Sequence, residues 1–132
     1  MRAIVNVDGG ARGNPGPAAA AAVLSSPDGE VLDSRGEAIG KATNNVAEYR
    51  AMLLGIELAK AHDVTELELV GDSELVVRQI KGEWKIKNAP LRELRAEVVA
   101  ALRGFESWEV RNVRREQNEA ADALVNETLD AA

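Results

Sequence analysis

The sequence predicts an α/β fold, a five-stranded mixed sheet in the order βββαβαβα with helices on its faces. Three observations support this prediction. Residues 2–39 contain alternating or apolar segments bounded by turn residues, which is typical of strands. Apolar residues then recur at helical spacing between Thr43 and Ala61, and strand-like and helix-like segments alternate beyond them. Such alternation favours a sheet covered by helices.

The first three strands are predicted to be antiparallel. Residues 2–8 have a period of two, with Ala3, Val5 and Val7 on one face. The turn-forming segment GGARGNPGP follows. The apolar segment 18–25, a PDG turn at 27–29 and the segment EVLDSRGEAI then indicate a hairpin of two further strands. This arrangement places Asp8 on the first strand, near its end.

A first helix is predicted between Thr43 and Ala61, with Glu48 in its first two turns. Its apolar positions, three and four residues apart, are Val46, Tyr49, Met52, Leu53, Ile56 and Ala59.

The C-terminal half supplies two more strands and three helical segments. ELELVG at 66–71 indicates the fourth strand, after which Asp72 and Ser73 can begin the helix ELVVRQIKG. GEWKIKNAP separates that helix from LRELRAEVVAALRG, which is followed by the strand SWEVRNVR and a last helix from about Asn118 to Leu129. Parallel pairing of the first and fourth strands, joined through the first helix, would bring Asp8 and Asp72 together.

Composition limits the classes of protein. A chain of 132 residues fits one domain, and we expect a single domain over 1–132. The absence of cysteine excludes disulfides, zinc-thiolate sites and cysteine nucleophiles, so any metal must be bound by oxygen. No apolar run approaches the roughly 20 residues of a membrane span, and we expect a soluble, cytoplasmic protein.

The net charge of −6 argues against a nucleic-acid partner, because Lys and Arg normally supply most of the affinity for phosphate. The basic residues are nevertheless clustered: one group surrounds Gly82 and Trp84, and another precedes Asp122. These groups are Lys81, Lys85, Lys87, Arg92 and Arg95, and Arg111, Arg114 and Arg115. They predict weak, salt-sensitive binding, or else only a solvated helix face and strand ends.

Four acids are the candidate catalytic and metal-binding residues: Asp8, Glu48, Asp72 and Asp122. Carboxylate oxygens are the ligands that Mg²⁺ prefers, and two ions about 3.5–4 Å apart can drive phosphoryl transfer. Each acid also has a structural alternative. Asp72 could cap a helix, Asp122 could be a first-turn acid, Asp8 could lead into a turn, and Glu48 could form a capping box with Asn45.

Together, the motifs DGGARGNPGP, TNNVAEYRA, GDSELVV and REQNEAAD, in this order, resemble those of ribonuclease H type 1, particularly its compact archaeal and bacterial branch. The resemblance extends from about residue 2 to residue 129 and implies the RNase H-like fold. It implies that the four acids bind two Mg²⁺ or Mn²⁺ ions and hydrolyse the RNA strand of an RNA/DNA hybrid, leaving 5′-phosphate and 3′-hydroxyl ends. We expect a monomer with no obligate protein partner and no separate hybrid-binding domain.

The same resemblance suggests roles for individual residues. Asp8 would contact both ions, Asp122 would help hold the ion carrying the attacking water, and Glu48 with Asp72 would hold the ion at the leaving oxygen. The candidate contacts to the hybrid are Gly9, Gly10, Asn14, Asn44, Ser73 and Arg115. Gly9 and Gly10 would let the nucleic acid approach the backbone. For Asn14, Asn44 and Ser73, the alternative is turn stabilisation or helix capping.

The sequence also departs from the family. The loop before Asp122 has no histidine, and the only one, His62, is expected at the end of the first helix. Arg114 or Arg115 could replace it, though only as a phosphate or charge partner, because arginine stays protonated. The basic helix that some relatives insert is missing. Trp84 with Lys85 and Lys87 could partly replace it, or Trp84 could instead cover the core.

Two other functions are compatible with some of these features. One is a nucleic-acid-binding module that keeps the fold without turnover. The other is a nucleotide-binding domain with GGARGNPGP as a phosphate loop, although GxxxxGK[ST] is absent and a hairpin, not a helix, is predicted to follow.

Overall fold

A computed structural model describes all 132 residues. Its strands are β1 (Arg2–Ala11), β2 (Gly16–Ser25), β3 (Val31–Ala42), β4 (Glu66–Gly71) and β5 (Ser107–Asn112). Its helices are α1 (Asn44–Ala61), α2 (Glu74–Ile80), α3 (Ala89–Leu102) and α4 (Glu119–Ala131). The predicted α/β class and element order are confirmed, with two helices between β4 and β5. A single 3₁₀ turn at Arg115–Gln117, which was not predicted, precedes α4.

The five strands form one mixed sheet in the order β3-β2-β1-β4-β5. The first three strands are antiparallel, whereas β4 is parallel to both β1 and β5. Asn6 of β1 pairs with Val70 of β4. Asp8 and Asp72 each lie two residues beyond that pair, so the parallel register itself brings these two acids to the same edge.

Helices cover both faces of the sheet. Helix α1 packs on β1 and β2, α3 packs against α1, and α4 packs on the opposite face against β1, β2 and β3. Because β2 lies between α1 and α4, every residue from Ala18 to Leu24 is buried. A Cβ at Gly55 of α1 would lie 2.6 Å from Val7 Cγ1, so this glycine lets α1 approach the sheet closely. The main core lies on the α1 side.

Two predicted strand ends were too early. β1 continues past Asp8 to Ala11, because Gly9 and Gly10 stay in register with Ala20 and Ala19 of β2. β3 likewise reaches Ala42 rather than residue 39. Asp8 therefore lies within β1, not near its end. None of the helices is both long and apolar enough to cross a bilayer.

Candidate functional site

Three of the four predicted acids meet at one point. Asp8, Glu48 and Asp72 each place a carboxylate oxygen within 4.8 Å of the others. Asp8 is only 7 % exposed, and the other two are partly buried. Asp122 lies outside this trio but lines the same cleft of about 520 Å³. Its charge acts on Asp8, so the structure brings all four acids to one site.

Asp72 follows the last residue of β4 and precedes α2. The side chain that caps α2 belongs to Ser73, whose Oγ accepts a hydrogen bond from the backbone N–H of Val76 at 3.3 Å. The interpretation of Asp72 as the helix cap is therefore wrong. With Ser73 in that role, the Asp72 carboxylate is free to face the cleft.

Glu48 lies in the second turn of α1, and it does not cap that helix. The N-cap is Thr43, whose side chain accepts from Val46 N at 3.2 Å. Glu48 Oε1 instead accepts a 2.6 Å hydrogen bond from the backbone N–H of Gly9. The capping box proposed for Asn45 and Glu48 is therefore wrong, and Glu48 is held against β1.

Asp122 lies in the first turn of α4, as its structural alternative required. Its backbone N–H donates to the carbonyl oxygen of Asn118 at 3.1 Å. An acid in the first turn is favoured by the helix dipole, and this does not conflict with its position in the cleft. The Asp122 carboxylate can therefore interact with the helix dipole and line the cleft at the same time.

Burial and mutual repulsion raise the pKa values of the central acids. The pKa of Asp8 is raised to about 7, mainly by burial and also by the charges of Asp72 and Asp122, whereas a hydrogen bond with Glu48 acts to lower it. The pKa of Glu48 is raised well above its ordinary value, chiefly by burial and then by Asp8. Divalent cations would relieve this repulsion. Clustered hard oxygens without nitrogen or sulfur ligands fit Mg²⁺ or Mn²⁺.

The two glycines after Asp8 differ in their surroundings. A Cβ at Gly9 would lie 2.1 Å from the carbonyl oxygen of Ala47, so the space beside Gly9 is filled by the backbone of α1. A Cβ at Gly10 would meet only Val125 Cγ1, at 3.6 Å. The absence of a side chain at Gly9 thus serves packing against α1, while Gly9 itself also lines the cleft and stays a candidate contact to the hybrid. Close packing of β1 and α1 requires that glycine.

The predicted polar contacts form local hydrogen bonds. Asn14 Oδ1 accepts from the backbone N–H of Asn44, and Asn44 Oδ1 accepts from that of Ala11, which ties the β1–β2 turn to the start of α1. Turn stabilisation and capping are therefore real roles of Asn14, Asn44 and Ser73. Asn44, Ser73 and Arg115 also line the cleft, whereas Asn14 and Arg114 do not.

The segment GGARGNPGP connects β1 to β2, and no helix follows it directly. The interpretation of this segment as the phosphate loop of a nucleotide-binding domain is therefore wrong.

The surroundings of Trp84 and His62 settle two further expectations. Trp84 is 41 % exposed, and the guanidinium carbon of Arg78 lies 5.2 Å from its ring centre, so Trp84 does not cover the core. Arg95 of the same basic group donates to the carbonyl oxygens of Gln79 and Ile80 at the end of α2. His62 ends α1, as expected, and contacts Asp33 at 2.7 Å.

Sequence reasoning missed two residues at this site. Arg12, in the β1–β2 turn, lines the cleft and pairs with Asp130 of α4 at 2.7 Å. Asn118, expected only as the start of the last helix, is 2 % exposed and contacts Asp72. The only sequence signal for Asn118 was its position four residues before Asp122 in REQNEAAD.

Comparisons with known proteins show which sequences and folds this chain resembles. The sequence profile of the family described as Reverse transcriptase-like matches residues 6–128. Ribonuclease HI of Halobacterium salinarum is 46 % identical over 125 residues, which cover 95 % of this chain and 63 % of that protein. The chain thus spans less than two thirds of that relative's length.

Solved structures match over nearly the whole chain. The crystal structure of RNase H1 from Halobacterium salinarum has a TM-score of 0.98 and 45 % identity, and the match covers 100 % of both chains. LC11-RNase H1, solved in complex with an RNA/DNA hybrid, has a TM-score of 0.91 and 39 % identity over 98 % of this chain and 97 % of that one. The sequence motifs, the sheet topology and these similarities together show that the chain belongs to the ribonuclease H family, type 1.

Proposed function

We propose that residues 1–132 form a ribonuclease H catalytic domain that hydrolyses the RNA strand of RNA/DNA hybrids with two divalent ions. The observation that carries this proposal is the convergence of Asp8, Glu48 and Asp72 within 4.8 Å. A relative solved with a bound hybrid, 39 % identical to this chain, supports the choice of substrate.

The four acids would hold the ions, with Asp8 as the shared ligand because it neighbours each of the others. Bound ions of this kind activate a water and stabilise the leaving oxygen, which gives 5′-phosphate and 3′-hydroxyl ends. The Gly9 N–H fixes Glu48, and the first turn of α4 carries Asp122. Binding residues would select RNA through its 2′-hydroxyls in a wide, shallow minor groove.

The exposed groups at the rim would position the hybrid. Gly9, Gly10, Asn44, Ser73 and Arg115 line the cleft and are the candidate contacts, whereas Asn14 would act by supporting Asn44. Trp84 with Lys85 and Lys87 would contact the sugar-phosphate backbone further away. Mg²⁺ as the preferred ion, a monomeric state and a cytoplasmic location remain predictions.

The direct test is cleavage of an end-labelled RNA/DNA hybrid in Mg²⁺ or Mn²⁺, with products separated on a sequencing gel. We expect the wild type to cleave only the RNA strand. Asp72→Asn should lower kcat by about a thousand-fold, because several kcal/mol of metal-derived stabilisation are lost. Asp63→Asn is a matched control: Asp63 is exposed and has a left-handed φ of 56°, which asparagine adopts readily.

Two results would contradict the proposal. One is full activity of Asp72→Asn. The other is tight hybrid binding by the wild type without cleavage in either metal, which would instead identify the binding module without turnover.

A further inference from the structure

The buried residue Asn118 has an unusual environment for a residue at a helix start. It lies where the 3₁₀ turn ends and α4 begins, a position where asparagine commonly caps the helix with its side chain. Here the side chain makes no capping hydrogen bond to α4. It points into the sheet instead and is 2 % exposed. Because capping is unused, another role must account for a buried amide here.

All hydrogen-bonding atoms of the Asn118 side chain are occupied. Nδ2 donates to the carbonyl oxygen of Val7 at 2.9 Å and to Asp72 Oδ2 at 3.2 Å. Oδ1 accepts from Asn6 Nδ2 at 3.0 Å. Neither Val7 O nor an ionised Asp72 can donate, so the amide nitrogen must face them. One side chain therefore ties β1 to the loop that follows β4.

The backbone of Asn118 extends this connection to α4. Its carbonyl oxygen accepts from Asp122 N, and its N–H donates to the carbonyl oxygen of Arg115. Asn118 thus binds Asp72 directly, holds the residue before Asp8, and fixes the turn that carries Asp122. It contacts or adjoins three of the four acids, while Glu48 is held separately by Gly9.

The chemistry of an amide suits this position. A lysine or arginine beside Asp72 would neutralise the carboxylate and weaken its attraction for a cation. A neutral amide orients the carboxylate without removing its charge, and it occupies only Oδ2. Groups that orient metal-binding carboxylates in this way typically affect metal affinity or activity by about 10- to 100-fold.

We propose that Asn118 is a positioning residue for the divalent-metal site, acting by orienting Asp72 and by fixing the first turn of α4. The proposal rests on the metal-dependent function proposed above. It concerns the affinity of the site for cations, and Asn118 itself contacts no reacting atom.

The test is Mg²⁺ binding measured by isothermal titration calorimetry, without nucleic acid. We expect Asn118→Ala to raise the Mg²⁺ dissociation constant about 10-fold or more. The Mg²⁺ concentration for half-maximal cleavage should rise in parallel, and saturating Mg²⁺ should partly restore kcat. Asn118→Asp should bind more weakly than wild type as well, because an oxygen would replace Nδ2 beside Val7 O and Asp72.

Gln79→Ala is the matched control for a purely structural role. Gln79 is another buried amide, 5 % exposed, and it contacts none of the four acids. Its Oε1 accepts a 2.7 Å hydrogen bond from the Tyr49 hydroxyl. We expect Gln79→Ala to lose stability and keep the wild-type Mg²⁺ dissociation constant. A folded Asn118→Ala protein with wild-type Mg²⁺ affinity would overturn the proposal, as would an equal loss of affinity in Gln79→Ala.

A measurement on wild type avoids any failure of the variants to fold. In ¹⁵N-labelled protein, the Asn118 side-chain amide should exchange slowly with solvent and shift as Mg²⁺ is added. An unperturbed Asn118 amide at saturating Mg²⁺ would overturn the proposal. If Mg²⁺ binds and shifts this resonance but the hybrid is not cleaved, the proposed function fails and the role of Asn118 stands. If wild type binds no divalent ion, both fail.

Discussion

The backbone N–H of Gly9 lies 2.6 Å from Oε1 of Glu48, and it holds this acid against the strand that carries Asp8. The contact joins residues 39 positions apart and requires α1 to approach β1 at backbone distance. Gly9 makes that approach possible, because any Cβ there would meet the carbonyl oxygen of Ala47.

Gly9→Ala should therefore destabilise the protein by about 3 kcal/mol, since overpacking against backbone atoms cannot be relieved by a rotamer change. Activity should fall as well, because Glu48 would be displaced. Urea denaturation would measure the change. Gly10→Ala is the control: its Cβ would make an ordinary 3.6 Å contact with Val125, so we expect a change below about 1 kcal/mol. Equal effects of the two substitutions would contradict the packing argument.

The pKa of Asp8 predicts how stability depends on pH without metal. Its folded value, about 7, exceeds its ordinary value of 3.8, so the protonated acid favours the folded state. The resulting contribution to the free energy of unfolding is complete below about pH 4 and is lost as the pH rises through about 7. The difference between the two pKa values limits this contribution to about 4 kcal/mol. The raised pKa of Glu48 acts in the same direction.

In EDTA, the melting temperature should therefore rise as pH is lowered from 8 to 5. Mg²⁺ should raise the melting temperature most at pH 8, where the acids are ionised. At a free Mg²⁺ concentration 100 times the dissociation constant, binding adds about 2.7 kcal/mol to the free energy of unfolding. Asp8→Asn should reduce the pH dependence and stabilise the metal-free protein at pH 8. A metal-free wild type that becomes more stable from pH 5 to 8 would contradict this sign.

Arg115 is the arginine that the structure places in the cleft, with Asp122, whereas Arg114 lies outside the lining residues. Arg115→Ala should lower kcat/KM by about 10- to 100-fold through loss of a charged phosphate contact. The shape of the pH–rate profile should not change, because arginine does not titrate in this range. Arg115→Lys should recover part of the activity. Arg114→Ala should change kcat/KM little, and a larger effect there would reverse the assignment.

The two exposed tryptophans allow a matched test of the basic loop. Trp84 is 41 % exposed beside Lys85, whereas Trp108 is 40 % exposed on β5, away from the cleft. Trp84→Ala should weaken hybrid binding by about 3- to 10-fold, because its ring would lose contact with a sugar. Trp108→Ala should leave binding unchanged. Fluorescence anisotropy with a labelled hybrid at fixed salt would measure both.

The local patterns of the sequence predicted the strands and helices well, with errors at their ends. The first strand was predicted to stop at Asp8 because glycines follow, yet its pairing with β2 continues to Ala11. Pairing with a neighbouring strand can outweigh weak local preference. The 3₁₀ turn before α4 had no periodic signal, being only three residues long.

The choice between alternatives at the site was different, because it depended on which atoms meet. Asp72 and Ser73 are both good helix caps, and local sequence did not decide that Ser73 takes this role. Likewise, the offset of Asn45 and Glu48 fits a capping box, but Thr43 begins the helix and Glu48 binds Gly9.

By itself, the sequence determined the order of the elements and the choice of the four candidate acids, since periodicity and short motifs are local properties of the chain. Only the tertiary structure decided that Gly9 packs against α1, that Arg115 rather than Arg114 enters the cleft, and that the Asn118 amide turns away from its helix. The physical reason is that each of these contacts depends on the distance between packed backbones. Asn118 and Val7, for example, are 111 residues apart along the chain, and the sheet and α4 bring their atoms to 2.9 Å.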